Sequence, residues 1–242
     1  MTTSTTYDFS PSVGDLTLNA FGRCLVRRTE ITQQHLADAA TESNLLQVSW
    51  ASRQPNLWTA ETFEVDLVEG QSTYTLPSRM ISPMAVYMTT TPSGSSNSFD
   101  RILNPISTYE YASLPDKDTQ APPTTYWWDR EVEPKLVLWQ VPDDSATYVV
   151  KLRILSQVQD AKLPGGVIPQ IPYRWLDAFT SALAARLARL YPETLVKTFG
   201  PGAIKDLQAD AERDWQIAAK EDIEYVPTYI YPALGTYYGG GR

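Results

Sequence analysis

The chain has 242 residues, 43% of them apolar, and a formal net charge of −8. That is enough apolar material for one large domain or two modest ones, and too much negative charge for a general nucleic-acid binder, whose affinity comes from neutralising phosphates. A single cysteine, Cys24, excludes a disulfide framework and is compatible with a reducing compartment.

The N-terminal MTTSTTYDFSPS has neither the basic residues nor the apolar run of a signal peptide, and residues 1–12 are expected to be flexible. No stretch approaches the roughly 20 apolar residues of a membrane span. Val13, Leu16, Ala20, Phe21, Cys24 and Leu25 recur at helical spacing, which puts the thiol on a buried face. A second helix is expected from an N-cap at Thr32, with Ile31 and Leu36 at the two positions of a hydrophobic staple. Leu36, Ala39, Ala40, Leu46 and Trp50 carry its stripe until Gln54-Pro55.

The period then changes. Thr62–Leu67 alternates apolar with polar, as a half-buried strand does. Glu69–Ser72 reads as a turn, and Thr73–Leu76 and Ala85–Met88 as further strands. Residues 89–98, TTTPSGSSNS, have the composition of a loop tip, and Ser107–Leu114 of a short helix. Thr124–Trp128, Lys135–Gln140 and Ala146–Ser156 are β-rich runs joined by short polar turns, which predicts an antiparallel meander. Helical spacing returns at Pro172, placed as a first helical residue, with Leu176, Phe179, Leu183, Leu187 and Leu190 as the stripe. Tyr191-Pro192 closes that helix and Gly200-Pro201-Gly202 breaks the chain again. Ile204, Leu207, Ala211, Trp215 and Ala218 define a last amphipathic helix.

The tail, residues 225–242, reads YVPTYIYPALGTYYGGGR and holds five of the 14 tyrosines. Its prolines and glycines forbid a helix, while tyrosine offers large contact area at low rotamer cost. It reads as an extended arm docking on a neighbour, with Tyr225, Tyr229, Ile230, Tyr231, Leu234, Tyr237, Tyr238 and Arg242 as candidate partner-binding residues. Packing back on its own domain is the alternative.

Candidates for chemistry are few. His35 is the only histidine, so a serine or cysteine nucleophile has one possible base, expected to be a helix-start residue. Zinc sites of the usual kind take three or four Cys or His ligands, and Cys24 and His35 make two. Gly165-Gly166 and Gly200-Pro201-Gly202 lack the lysine of a phosphate-binding loop. The stretch PPTTYWWDREVEPKLVLWQVPDD, residues 122–144, sets Trp127, Trp128 and Trp139 beside Asp129, Glu131, Glu133, Asp143 and Asp144. A glycan-degrading site needs two facing acids, and a glycan-binding one an exposed tryptophan. The same residues fit a hairpin whose turns carry solvated acids and whose alternation sends Trp127 and Trp128 to opposite faces. Arg23, Arg27 and Arg28 form a basic cluster at the end of the first helix, and Arg186 and Arg189 an i,i+3 pair. Such groups are more often solvated faces or salt-bridge partners than phosphate sites.

The order of these pieces resembles the head-to-tail adaptor proteins of short-tailed bacteriophages, also called tail accessory factors or tail tubular protein A. The resemblance rests on VGDLTLNAFGRCLV, PNLWTAETFEVDLVEGQSTYTLP, DRILNPISTYEYASLP, APPTTYWWDREVEPKLVLWQVPDD and IPQIPYRWLDAFTSALAARLARLYP, and covers about residues 13–192. One departure is the first helix, where the family often ends on glycine and this chain runs on into Cys24-Leu25-Val26-Arg27-Arg28. The resemblance implies a virion protein of the neck, made in the host cytoplasm. It would bind beneath the portal, form its own ring, typically twelvefold, extend the DNA channel and seat the tail nozzle. It implies no enzyme, cofactor or metal.

Together these readings predict an α+β fold: a discontinuous helical bundle with an inserted antiparallel β region and an extended C-terminal arm. The expected division is a flexible 1–12, a helical domain of 13–56 and 172–221, an inserted β domain of 57–171, and an arm of 222–242.

Overall fold

The computed structural model describes residues 9–53, 57–162 and 167–221. The candidate arm residues, together with Gly165-Gly166, lie outside them. The described fold is α+β, with six α-helices and two four-stranded, mostly antiparallel sheets.

Helix α1 (Val13–Arg23) is set off by Ser12, inside the stretch expected to be flexible. The Asp15 N–H donates to the Ser12 hydroxyl and the Ser12 N–H to the Asp15 carboxylate, both at 3.1 Å, a reciprocal cap. Its other end is as well defined. Leu25 has φ 61°, the Leu25 N–H bonds Gly22 O, and the Val26 N–H bonds Phe21 O, both at 3.0 Å. This pair of reversed bonds is a Schellman stop with leucine where glycine is usual. Arg27 and Arg28 therefore fall beyond the helix, and Arg28–Glu30 forms a separate 3₁₀ turn.

Helix α2 (Gln33–Arg53) follows the expected stripe, burying Ala39, Leu46 and Trp50. Beyond a 3₁₀ turn at Leu57–Thr59, the chain enters the β region.

One sheet has the order β1-β8-β3-β4, from β1 (Ala60–Asp66), β3 (Met80–Pro92), β4 (Phe99–Ile102) and β8 (Ala146–Ser156). The other has the order β2-β7-β6-β5, from β2 (Thr73–Thr75), β5 (Asn104–Pro105), β6 (Thr125–Asp129) and β7 (Lys135–Trp139). Both sheets turn one face to a shared core that includes Tyr74, Met88, Leu136, Leu138, Leu152 and Ile154.

Several expectations change here. β6 and β7 pair as an antiparallel hairpin, but β8 leaves them for the other sheet, so the meander does not form. The reason is burial: β8 alternates buried Tyr148, Val150, Leu152 and Ile154, and lies between β1 and β3 as a central strand. β3 is longer than Ala85–Met88 and takes in residues 89–92 of the supposed loop tip. β4 follows the turn, and the chain then crosses sheets at buried Leu103. β5 runs parallel to β6, an exception in the antiparallel region. The short helix, α3 (Thr108–Ser113), is present and capped reciprocally by Ser107 and Glu110.

Pro172 precedes a 3₁₀ turn, Tyr173–Trp175, and α4 (Leu176–Leu190) starts after it. Phe179, Leu183 and Leu187 are buried as expected, whereas Leu190 is exposed at the helix end. An unexpected short helix, α5 (Glu193–Phe199), precedes Gly200, whose φ of 85° suits the break. α6 (Ala203–Glu221) closes the described fold. α1, α2, α4 and α6 share a second core around Phe21, Trp50, Trp175, Phe179 and Leu183.

Candidate assembly interface

The stretch rich in tryptophan and acids resolves into a hairpin. Tyr126 and Trp128 point with Leu136 and Leu138 into the β core. Trp127, on the opposite face, stacks on Tyr111 of α3, with ring centroids 5.2 Å apart. The Trp139 indole N–H donates to Asp116 O at 2.9 Å. Each ring thus packs within the chain. Glu131 pairs with Lys135 at 2.8 Å across the turn, and the hollow beside Trp128 is lined by that one carboxylate. Asp143 accepts from the Tyr148 hydroxyl at 2.6 Å and from Ser145, bonds that hold its carboxyl below the usual range. These contacts lock the turn before β8.

The other reactive side chains also have partners within the chain. His35 caps α2, its Nδ1 2.6 Å from the Thr32 hydroxyl, and its ring lies 4.2 Å from that of Tyr191. Tyr191 donates to Asp38; burial and then that carboxylate push its phenol up to about 12. Cys24 is buried and donates to Ala184 O at 3.2 Å, and burial pushes its thiol up to about 12. A thiol so placed is a packing group rather than a nucleophile.

The basic cluster expected at the end of α1 is split by the Schellman stop. Arg23 turns to α4, pairing with Asp177 at 2.6 Å and donating to Ser181, while the Arg27 N–H reaches Glu30 at 3.4 Å. The second basic pair lines a cleft of about 540 Å³ between α2 and α6, floored by Ala182 and Ala185 of α4. Arg186 meets Glu42 at 3.2 Å, and with the Gln208 amide turned so that its oxygen faces Arg189, the guanidinium donates to it at 2.7 and 2.8 Å. Arg53 bridges the cleft to Glu212 at 2.7 Å, with its guanidinium 3.7 Å above the Trp215 ring. These guanidiniums are held by partners within the chain, in an arrangement that braces helices rather than collects phosphates. Ser49 lines the same cleft with no histidine among the lining residues.

What these features provide is a braced scaffold with large apolar side chains on its outside. Phe99, Ile102, Ile168, Tyr173 and Phe199 are all exposed. Among the described residues, no helix is long and apolar enough to cross a membrane.

A family model described as SU10 adaptor protein matches residues 11–224. The chain belongs to that family of phage head-to-tail adaptors. Comparison with curated proteins gives no match. The match reaches further along this adaptor than the resemblance over residues 13–192, taking in α5 and α6. It ends at residue 224, immediately before Tyr225, so the eight candidate contact residues lie beyond both the family match and the described fold. The hairpin stacking and the sheet edge at β4 were not legible in the sequence, because each depends on partners distant along the chain; the split of the basic cluster was hidden because its stop carries leucine in place of the usual glycine.

Proposed function

We propose that this adaptor works by contact, without bond chemistry, as a ring in the neck of the virion. It binds the portal above and the tail nozzle below, and DNA passes through without sequence-specific binding. Twelve copies are the number that the family resemblance implies. The observation that carries this reading is family membership across both cores, residues 11–224. Two features support it. A net charge of −8 per subunit, repeated around a ring, repels phosphates and favours passage over adhesion. Braced ion pairs such as Arg53–Glu212 and Arg186–Glu42 suit a rigid scaffold.

Within this reading the Tyr-rich segment is the assembly arm, acting through Tyr225, Tyr229, Ile230, Tyr231, Leu234, Tyr237, Tyr238 and Arg242. Its ordering cost falls at the assembly step, and a head-to-tail interface closes into a ring where its rotation permits. The test images the purified chain alone and mixed with portal protein by negative stain. Annuli stacked on the portal are expected; particles that never form an annulus under either condition would sink the proposal. A variant with the five tail tyrosines replaced by serine should keep its circular dichroism and lose assembly. Normal assembly by that variant removes the arm from the account.

A further inference from the structure

Four strands end the two sheets, and three of them carry features that deter pairing with another chain. β2 has three residues, with Pro77 soon after, β5 has two and ends in Pro105, and β1 ends in the charge of Asp66, beyond Glu61 and Glu64, which pair with Arg79 and Lys151. Short length, proline and charge are the usual guards of a sheet edge. β4 is guarded differently. Its two charges are engaged: Asp100 accepts from the Thr89 hydroxyl at 2.6 Å, and Arg101 donates to the carbonyls of Pro122 and Pro123. Its other two residues, Phe99 and Ile102, are 56% and 76% exposed.

The register shows what this edge offers. The Leu103 N–H donates to Val86 O at 3.0 Å, and Ile102 stands opposite Tyr87. In an antiparallel ladder the hydrogen-bonded and open pairs alternate, so Asp100 and Ile102 turn their N–H and C=O groups away from β3. Among the described residues, no strand pairs with that side.

The chain contains a segment of matching chemistry. Residues 227–232 read Pro-Thr-Tyr-Ile-Tyr-Pro. The four residues between the prolines all favour strands, and each proline lacks the N–H needed to extend a ladder. That window has the same length as Phe99–Ile102. We propose that residues 228–231 of one copy add as a fifth strand to the β4 edge of a neighbouring copy. The tyrosines would pack beside Phe99 or Ile102 as cross-strand aromatic pairs.

Six residues, 222–227, separate Glu221 from Thr228, a span of at most about 25 Å that lets the segment stand clear of α6 and meet an adjacent copy. The choice of the neighbour over the same chain follows from reading the tail as an assembly arm.

This inference rests on reading the tail as an assembly arm and names its acceptor. Cys24 is buried, so surface cysteines are clean probes. Full-length Ile102→Cys protein is mixed with full-length Tyr229→Cys, Ile230→Cys or Tyr231→Cys protein under mild oxidation. A covalent dimer is expected whose yield alternates along the three tail positions, the mark of a strand. A Val132→Cys acceptor, exposed on the β6–β7 turn, should give none. No dimer, a yield without alternation, or equal linkage to Val132→Cys overturns the proposal. So does a bridge that forms only within one chain of an Ile102→Cys/Ile230→Cys double variant. As a second readout, Ile230→Pro should speed amide exchange at Asp100 and Ile102 by about tenfold or more; unchanged exchange counts against the pairing. If linkage fails while the tyrosine-to-serine variant still loses assembly, the arm stands and the β4 acceptor falls. Normal assembly by that variant removes the arm itself.

Discussion

The helical core and the β core are assembled from the chain in opposite ways. The β core draws its buried residues from one continuous stretch, Tyr74 to Ile154, whereas the helical core joins Leu16–Trp50 to Trp175–Ala219. Closing so long a loop costs entropy before any contact forms. The pairing of β1 with β8, which sets Ala60 opposite Leu155, brings the two crossing points together and shortens the effective loop. The β core is thus the clasp on which the helical core depends, and the dependence runs mainly one way.

Two core truncations test that asymmetry. Phe179→Ala removes a fully buried ring from the helical core and should destabilise it by about 3–5 kcal/mol. Amides of β3 and β8 should keep most of their protection from hydrogen exchange. Leu152→Ala, at a fully buried site in β8, should cost about 2–5 kcal/mol. Here protection should fall in both cores, since the clasp itself is weakened. Equal loss in both cores for Phe179→Ala would dissolve the distinction.

Acid should act on both cores. Hydrogen bonds from Arg79 and Ser156 to Glu61, from Tyr148 to Asp143 and from Arg53 to Glu212 lower these carboxyls in the folded chain. The unfolded chain then binds more protons as pH falls, so this stability is present above the ordinary carboxylate range and lost below it. Thermal midpoints should drop as pH passes below about 4. A flat profile between pH 6 and 3 would contradict the assigned pairings. The smallest effect belongs to Arg53→Ala. Its ion pair with Glu212 is 39% and 47% exposed, so the cost should stay within about 1 kcal/mol by chemical denaturation. A larger loss would show that the Trp215 stack braces the cleft more than screening allows.

Much of the helical core was legible because its signal is local. Val13, Leu16, Ala20 and Phe21, or Phe179, Leu183 and Leu187, repeat at a spacing that one helix satisfies by itself. Cys24 and His35 were likewise placed by helix position alone. The misses share another cause. β8 looks like the third strand of a meander until β1 and β3 compete for it, and β4, Phe-Asp-Arg-Ile, has no alternation to mark it as a strand, since its charges find Thr89, Pro122 and Pro123 only after folding. Helix α5 was missed because it buries one residue, Leu195, too little to show a period.

By itself the amino-acid order determined the element types, the α+β class and the likeness to phage adaptors, since period, caps and turn residues act over a few positions. Only the tertiary structure decided which strands share a sheet, which tryptophans lie inside, and which edge is left open. Those outcomes depend on competition among segments far apart along the chain, where burial outweighs local preference.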